Sequence, residues 1–242
     1  MTIISSQLKT EIVYPDTDGE TMAESDPARD YLIYSVEALS IYFQQEKDVY
    51  VSGNLFIYYK KGVPSAVIAP DVFVIFGVSN KKRMSYKVWE ENNKVPDFVL
   101  EITSLKTQEN DELDKPIKYA KMGVKEYFQY DPTGDYLSSQ LKGANLVEGK
   151  YQPLQVTLLP DGDLSIYSEV LGLELRTIQG ELRFIDPKTG KKLLSHKETE
   201  LARQQAEQAL LDAIPRLRAL GLSEEQIAQA LNLSVEAEKM SD

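Results

Sequence analysis

Residues 97–104 read DFVLEITS. Phe98, Val99, Leu100 and Ile102 mark a buried β-strand, yet Glu101 stands in its middle. An ionised carboxylate is costly to bury unless a counter-charge or a metal meets it. Either a partner from elsewhere in the chain or a bound metal ion must therefore meet Glu101. Side chains alternate along a strand, so Asp97, Val99, Glu101 and Thr103 share one face, and Phe98, Leu100 and Ile102 the other.

Thirty residues upstream, SAVIAPDVFVIFGV (65–78) reads as a second strand with Asp71 directly after Pro70. Asp71 lies on the face opposite Val72, Val74 and Phe76. Set antiparallel to residues 97–104, this strand brings Asp71 beside Glu101. Two carboxylates at close range repel, and each raises the other's proton affinity unless a cation intervenes. A hard divalent ion with oxygen ligands, Mg²⁺ or Mn²⁺, is the natural neutraliser. Such an ion polarises a phosphoryl oxygen and lowers the pKa of a bound water. Asp97 is a weaker partner for Glu101, because four residues of one strand separate the carboxyls by about 13 Å.

Past the strand, LKTQENDELDKPIKYAKMG (105–123) favours a helix, with Gly123 suited to end it. Asp111, Lys115 and Tyr119 recur every four residues and share a helical face. That is either a surface Asp–Lys pair beside a core tyrosine, or a lysine aimed at the carboxylates, where it orients a water or stabilises developing phosphorane charge. Tyr119 and Tyr127 read as packed rings with anchored hydroxyls.

Around these segments the pattern is α/β. YLIYSVEALSIYFQQ (31–45) is an amphipathic helix starting near Asp26 or Asp30, and VYVSGNLFIYYKKG (49–62) a strand interrupted at Ser52-Gly53-Asn54. KKRMSYKVWEENNKVP (81–96) is a basic, then acidic, connection. VKEYFQYDPTG (124–134) is a fourth strand closed by an Asp-Pro turn, and short strands continue to about residue 180. LRFIDPKTGKKLLS (182–195) reads as a hairpin about PKTG. A long helix follows, with Pro215 as a point for a kink, then a helix starting at Ser223. The expected organisation is one domain over residues 1–194, including the hairpin at 182–194, and a helical tail over 195–242. The tail lacks a basic recognition helix and suits self-association better than DNA reading.

Composition narrows the chemistry. With no Cys and one His, zinc sites built on those residues are excluded; His196 reads as an exposed residue at a helix start. The opening residues lack a basic-then-apolar signal pattern and no stretch has membrane-span length, so a cytoplasmic protein is expected. The net charge is −11, but unevenly spread. Residues 1–50 hold 3 Lys and Arg against 10 Asp and Glu, whereas residues 51–150 hold 14 against 13. The middle of the chain therefore tolerates a polyanion. Lys81, Lys82, Arg83 and Lys87 form its one basic patch, either a solvated loop or a hold on a phosphate backbone.

Pro70-Asp71, thirty residues, then Glu101-Ile102-Thr103 resembles the PD-(D/E)XK restriction-endonuclease-like superfamily. With Asp111, Lys115, Tyr119, Gly123-Val124, Glu126-Tyr127 and Asp131-Pro132 in order, the chain resembles the Uma-two family of endonucleases, abundant in cyanobacteria, over roughly residues 10–190. The resemblance implies a mixed central sheet flanked by helices. It also implies Mg²⁺ held by Asp71, Glu101 and the backbone carbonyl of Ile102, and a catalytic lysine. That lysine normally lies two residues past the Glu, where this chain has Thr103; the resemblance moves the role to Lys115, with Lys106 and Lys118 as lesser candidates. It further implies a fourth acidic ligand from the first helix, for which Glu37 is the candidate, and loosely a homodimer. Three activities remain open: a Mg²⁺-dependent endonuclease acting on nucleic acid, most simply DNA; a nuclease fold kept as a non-catalytic nucleic-acid or protein-binding module; and a two-carboxylate glycosidase, which the single Trp and the lysine spacing do not favour.

Overall fold

The strand carrying Glu101 is buried on both faces: Phe98, Val99, Leu100 and Glu101 are fully inaccessible and Ile102 nearly so. A computed structural model describes residues 12–15, 25–104, 107 and 109–232. The chain forms two compact units, residues 1–193 and 194–242.

In the first unit, helix α1 (Asp26–Tyr42) is capped by Ser25, whose hydroxyl accepts from the Ala28 amide. The cap therefore falls one residue ahead of the nearer expected Asp. The strands that follow are β1 (Val49–Ser52), β2 (Ile57–Tyr58), β3 (Val67–Ile68), β4 (Val72–Phe76), β5 (Tyr86–Lys87) and β6 (Phe98–Ile102). Helix α2 (Lys115–Met122) crosses over to β7 (Glu126–Tyr130), followed by β8 (Leu141–Val147) and β9 (Lys150–Pro153). β10 (Thr157–Leu158), β11 (Leu164–Ser168), β12 (Leu173–Ile178) and β13 (Glu181–Ile185) complete the unit.

Six strands form a central mixed sheet in the order β1-β4-β6-β7-β8-β9. β6 is antiparallel to β4 and parallel to β7, and a parallel neighbour requires a crossover such as α2. The runs VFVIF and FVLEI carry no polar face because both sides of the sheet are covered. On one side Val72, Val74, Phe98, Leu100 and Phe128 pack with Leu39 of α1 and with Leu173, Leu175 and Phe184 of the four-stranded sheet β10–β13. On the other, Phe73, Ile75, Val99 and Tyr127 pack with Tyr119 of α2 and with Ile57, Ile68 and Tyr86 of a three-stranded sheet ordered β3-β2-β5.

Two expectations change. The connection at 81–96 is not irregular throughout: β5 pairs in parallel with β2, and Val88–Glu90 make a 3₁₀ turn. A two-residue strand has no periodicity to read. Residues 182–192 do turn back, but β13 pairs along its length with β12 and meets the returning chain through the single bridge Ile185–Lys192.

The Asp-Pro turn after β7 is held by one carboxylate. Asp131 accepts from the amides of Thr133, Gly134, Tyr136 and Leu137 and from the Thr133 hydroxyl. Burial would raise its pKa, but the Tyr136, Leu137 and Thr133 hydrogen bonds outweigh that and hold it below the usual value. Because the folded pKa is depressed, this stabilisation is present above the unfolded carboxylate pKa of about 4 and is lost as pH falls through the folded value. Asp131→Asn, which turns an NH₂ toward these donors, is expected to cost about 3 kcal/mol near pH 7. In denaturant titrations the gap from the parent chain should narrow below about pH 4.

In the second unit, α3 (His196–Ala219) and α4 (Glu224–Leu231) both start with capping boxes, Ser195 with Glu198 and Ser223 with Gln226. His196 is the exposed first residue of α3, and the helix continues through Pro215. α3 buries no residue and exposes Leu201 and Leu211, as its C-cap exposes Leu220. Among the described residues no helix is long and apolar enough to cross a membrane.

Candidate active site

The register of β4 and β6 pairs Val72 with Leu100 and Phe73 with Val99, so one step further Asp71 stands opposite Glu101. Here the two strands exchange side chains for ladder bonds. The Ile102 amide donates to Asp71 Oδ2 at 2.7 Å, and the Asp71 amide donates to Glu101 Oε2 at 3.3 Å. Gly53 fixes the back of this corner: a Cβ on it would lie 2.2 Å from the Asp71 carbonyl oxygen and 2.8 Å from Val36 Cγ2. No larger side chain fits there without displacing Asp71.

α2 supplies the counter-charge. Lys115 Nζ lies 2.8 Å from Glu101 Oε2 and 2.8 Å from Asp111 Oδ1, and the Tyr119 hydroxyl donates to Glu101 Oε1 at 2.5 Å. Asp111 and Glu101 are wholly inaccessible and Lys115 is 9% exposed, so the Asp111–Lys115–Tyr119 face points inward, not to solvent. Pro116 has no amide to donate, and its neighbourhood is accommodated by a wide π turn over Asn110–Asp114 before the regular helix begins. The Tyr127 hydroxyl ties this turn down by donating to the Asp111 carbonyl at 2.6 Å. Gly123, at φ 89°, ends the helix.

Two carboxylates thus contact one ammonium, and the Asp71 charge acts on it as well. Burial first, then the Glu101 charge, pushes the Asp71 carboxyl well above the usual range, and the same two causes raise Asp111. Burial works against the Lys115 charge, but Glu101, Asp111 and Asp71 outweigh it and raise its pKa. The lysine is held charged.

Of the remaining candidates, Glu37 is exposed on α1 and makes no contact with the pair among the described residues. Thr103 is buried, its amide bonded to the Tyr130 carbonyl and its hydroxyl without a partner among the described residues. Lys118 is exposed one turn after Lys115, and Lys106 lies outside the described residues. Asp97 sits at the other end of β6, bound to the Phe76 amide and to Lys125.

The basic patch folds on its own acidic half. Arg83 is nearly buried, paired with Glu91 at 2.9 Å and set 4.3 Å from the Tyr50 ring centre. Lys81 also pairs with Glu91, and Lys87 with Glu90. Only Lys82 of the four has no ion pair among the described residues. These charges serve the fold before they serve a phosphate. One neighbour of Glu101 has no signal in a single strand: β7 places Gln129 beside it, nearly buried, with its amide nitrogen unpartnered among the described residues.

No curated protein matches the chain. Among solved structures, a "putative nuclease belonging to DUF820" from Anabaena variabilis ATCC 29413 is similar over 57% of this chain and 74% of its own, with 11% identity and a TM-score of 0.41. Residues 11–179 match the family Uma2, described as "Putative restriction endonuclease". That match spans most of the first unit and more than half of the sequence, and the chain belongs to this family.

Proposed function

We propose that the chain hydrolyses phosphodiester bonds of nucleic acid at the Asp71–Glu101–Lys115 site, with Mg²⁺ or Mn²⁺ as cofactor. The observation that carries this reading is the pairing of two carboxylates from adjacent strands, in register, with a buried ammonium 2.8 Å from one of them. The family description supports the same class of substrate.

The residues present suit a hard cation. Asp71 is partly exposed and uses only Oδ2 in the hydrogen bonds seen among the described residues. Glu101 Oε2 is shared with Lys115, but Lys115 has a second anion in Asp111 and can yield that oxygen without losing its counter-charge. No cluster of three His, Cys, Asp or Glu able to hold a metal occurs among the described residues. That is compatible with Mg²⁺, which is commonly bound through one or two carboxylates while keeping several waters. Asp71 and Glu101 would hold it, with the Ile102 carbonyl as a further oxygen. Such an ion supplies charge neutralisation and Lewis-acid polarisation of a phosphoryl oxygen.

The protein's own contribution is positional and electrostatic. Tyr119 fixes the orientation of Glu101, Asp111 keeps Lys115 in place, and the Lys115 ammonium stabilises negative charge building on the phosphorus oxygens. A second reading, a binding module without catalysis, is favoured by one observation: both Glu101 oxygens already accept hydrogen bonds, Oε2 from Lys115 and the Asp71 amide and Oε1 from Tyr119. The two separate in one assay. Conversion of supercoiled plasmid to nicked or linear forms in Mg²⁺, abolished by EDTA, is the expected result. Retained nucleic-acid binding with no cleavage in Mg²⁺ or Mn²⁺ would favour the module.

A further inference from the structure

A groove of about 580 Å³ adjoins the site, and Lys115 is one of its lining residues. Its lining is of two kinds. Lys115, Lys118 and Asn110 come from α2 and the turn before it; Phe56, Pro64 and Val67 come from the segments around β2 and β3. Lys118 is exposed and has no ion pair among the described residues, while Phe56 is only partly buried. The neighbouring Tyr58 is sealed in, with 1% of its surface exposed and its hydroxyl donated to the Pro15 carbonyl.

We propose that this groove seats one unpaired nucleotide beside the scissile phosphate, its phosphate on Lys118 and its base against Phe56 and the apolar residues near it. Single-stranded or locally unpaired nucleic acid is then the preferred substrate. This inference rests on the hydrolytic reading of the adjacent site. Intact duplex presents phosphates and groove edges to a protein, since its base faces are covered by stacking. An aromatic and apolar lining is idle against such a ligand but stacks an unpaired base. The groove's volume lies in the range of about 300–1,000 Å³ that accommodates one small molecule. Lys118 follows Lys115 by three residues, about 4.5 Å along the helix axis, so both cations can engage one strand. On a chain of charge −11, a local cationic lining is what makes a polyanion welcome.

The test is fluorescence anisotropy of a labelled 12-nucleotide strand and of its duplex, in EDTA to prevent cleavage. The full chain is compared with Phe56→Ala and Lys118→Gln, each checked for an unchanged melting temperature. The single strand is expected to bind about tenfold more tightly than the duplex, and Phe56→Ala to weaken single-strand binding about tenfold while sparing the duplex. Lys118→Gln should weaken binding and reduce the salt slope by about 0.7. Duplex binding as tight as or tighter than single-strand binding, no detectable binding of either, or a folded Phe56→Ala that binds the single strand normally would overturn the proposal. The plasmid assay keeps the two readings apart. Plasmid cleavage without single-strand preference defeats this inference alone, and single-strand preference without any cleavage defeats the hydrolytic reading while leaving the groove's seat for an unpaired nucleotide standing.

Discussion

Lys115→Met is expected to lower the unfolding free energy by about 3–5 kcal/mol, read from denaturant titrations in EDTA. The substitution keeps the length and apolar volume of the side chain, so the loss reports the charge. Without the ammonium, Glu101 and Asp111 remain buried with no cation among the described residues near them, and they must take up protons or pull the helix from the sheet. Glu101→Gln should cost less, about 1–2 kcal/mol, because Lys115 keeps Asp111 as a partner and the amide oxygen can still accept from Tyr119. Considered as an isolated Asp71–Glu101 pair, the same change should leave stability unchanged or raise it by relieving repulsion. The buried lysine reverses that sign. If Glu101→Gln proved costlier than Lys115→Met, the arrangement of charges described above would be wrong.

Asp71→Asn is expected to reduce the rate of plasmid cleavage by about 10²–10³-fold or more while changing the unfolding free energy by less than about 1 kcal/mol. The asymmetry follows from the side chain's two jobs. As an acceptor for the Ile102 amide, Asn serves nearly as well, and it removes the repulsion from Glu101 that, with burial, pushes the Asp71 carboxyl up. As an anionic oxygen donor, Asn is much poorer. Initial rates and melting curves on the same preparation check both halves. A folded variant retaining a tenth or more of the parent rate would remove Asp71 from the chemistry.

The facing of Asp71 and Glu101 was legible because both strands are buried and a strand's period of two leaves little freedom in register. Gly123 and Ser223 were legible because caps have local signatures. Lys115 was legible as a candidate through its spacing from Asp111 and Tyr119, although spacing alone could not tell an inward face from a solvated one. What sequence could not show depends on contacts between distant segments. Gln129 reaches Glu101 only through the parallel pairing of β6 with β7. Arg83 looks available until Glu91 and Tyr50 close on it. Gly53 appears merely as a break between strands until the Asp71 carbonyl is set against it. The small sheet β3-β2-β5 was missed for a different reason: strands of two residues carry no pattern.

One measurement bears most directly on whether these two carboxylates serve a cation: anomalous diffraction from crystals of the protein soaked in Mn²⁺. An anomalous peak within coordination distance of both the Asp71 and Glu101 carboxylates is the predicted result. Ordered carboxylates with no peak between them at saturating Mn²⁺, Lys115 still on Glu101, would contradict it.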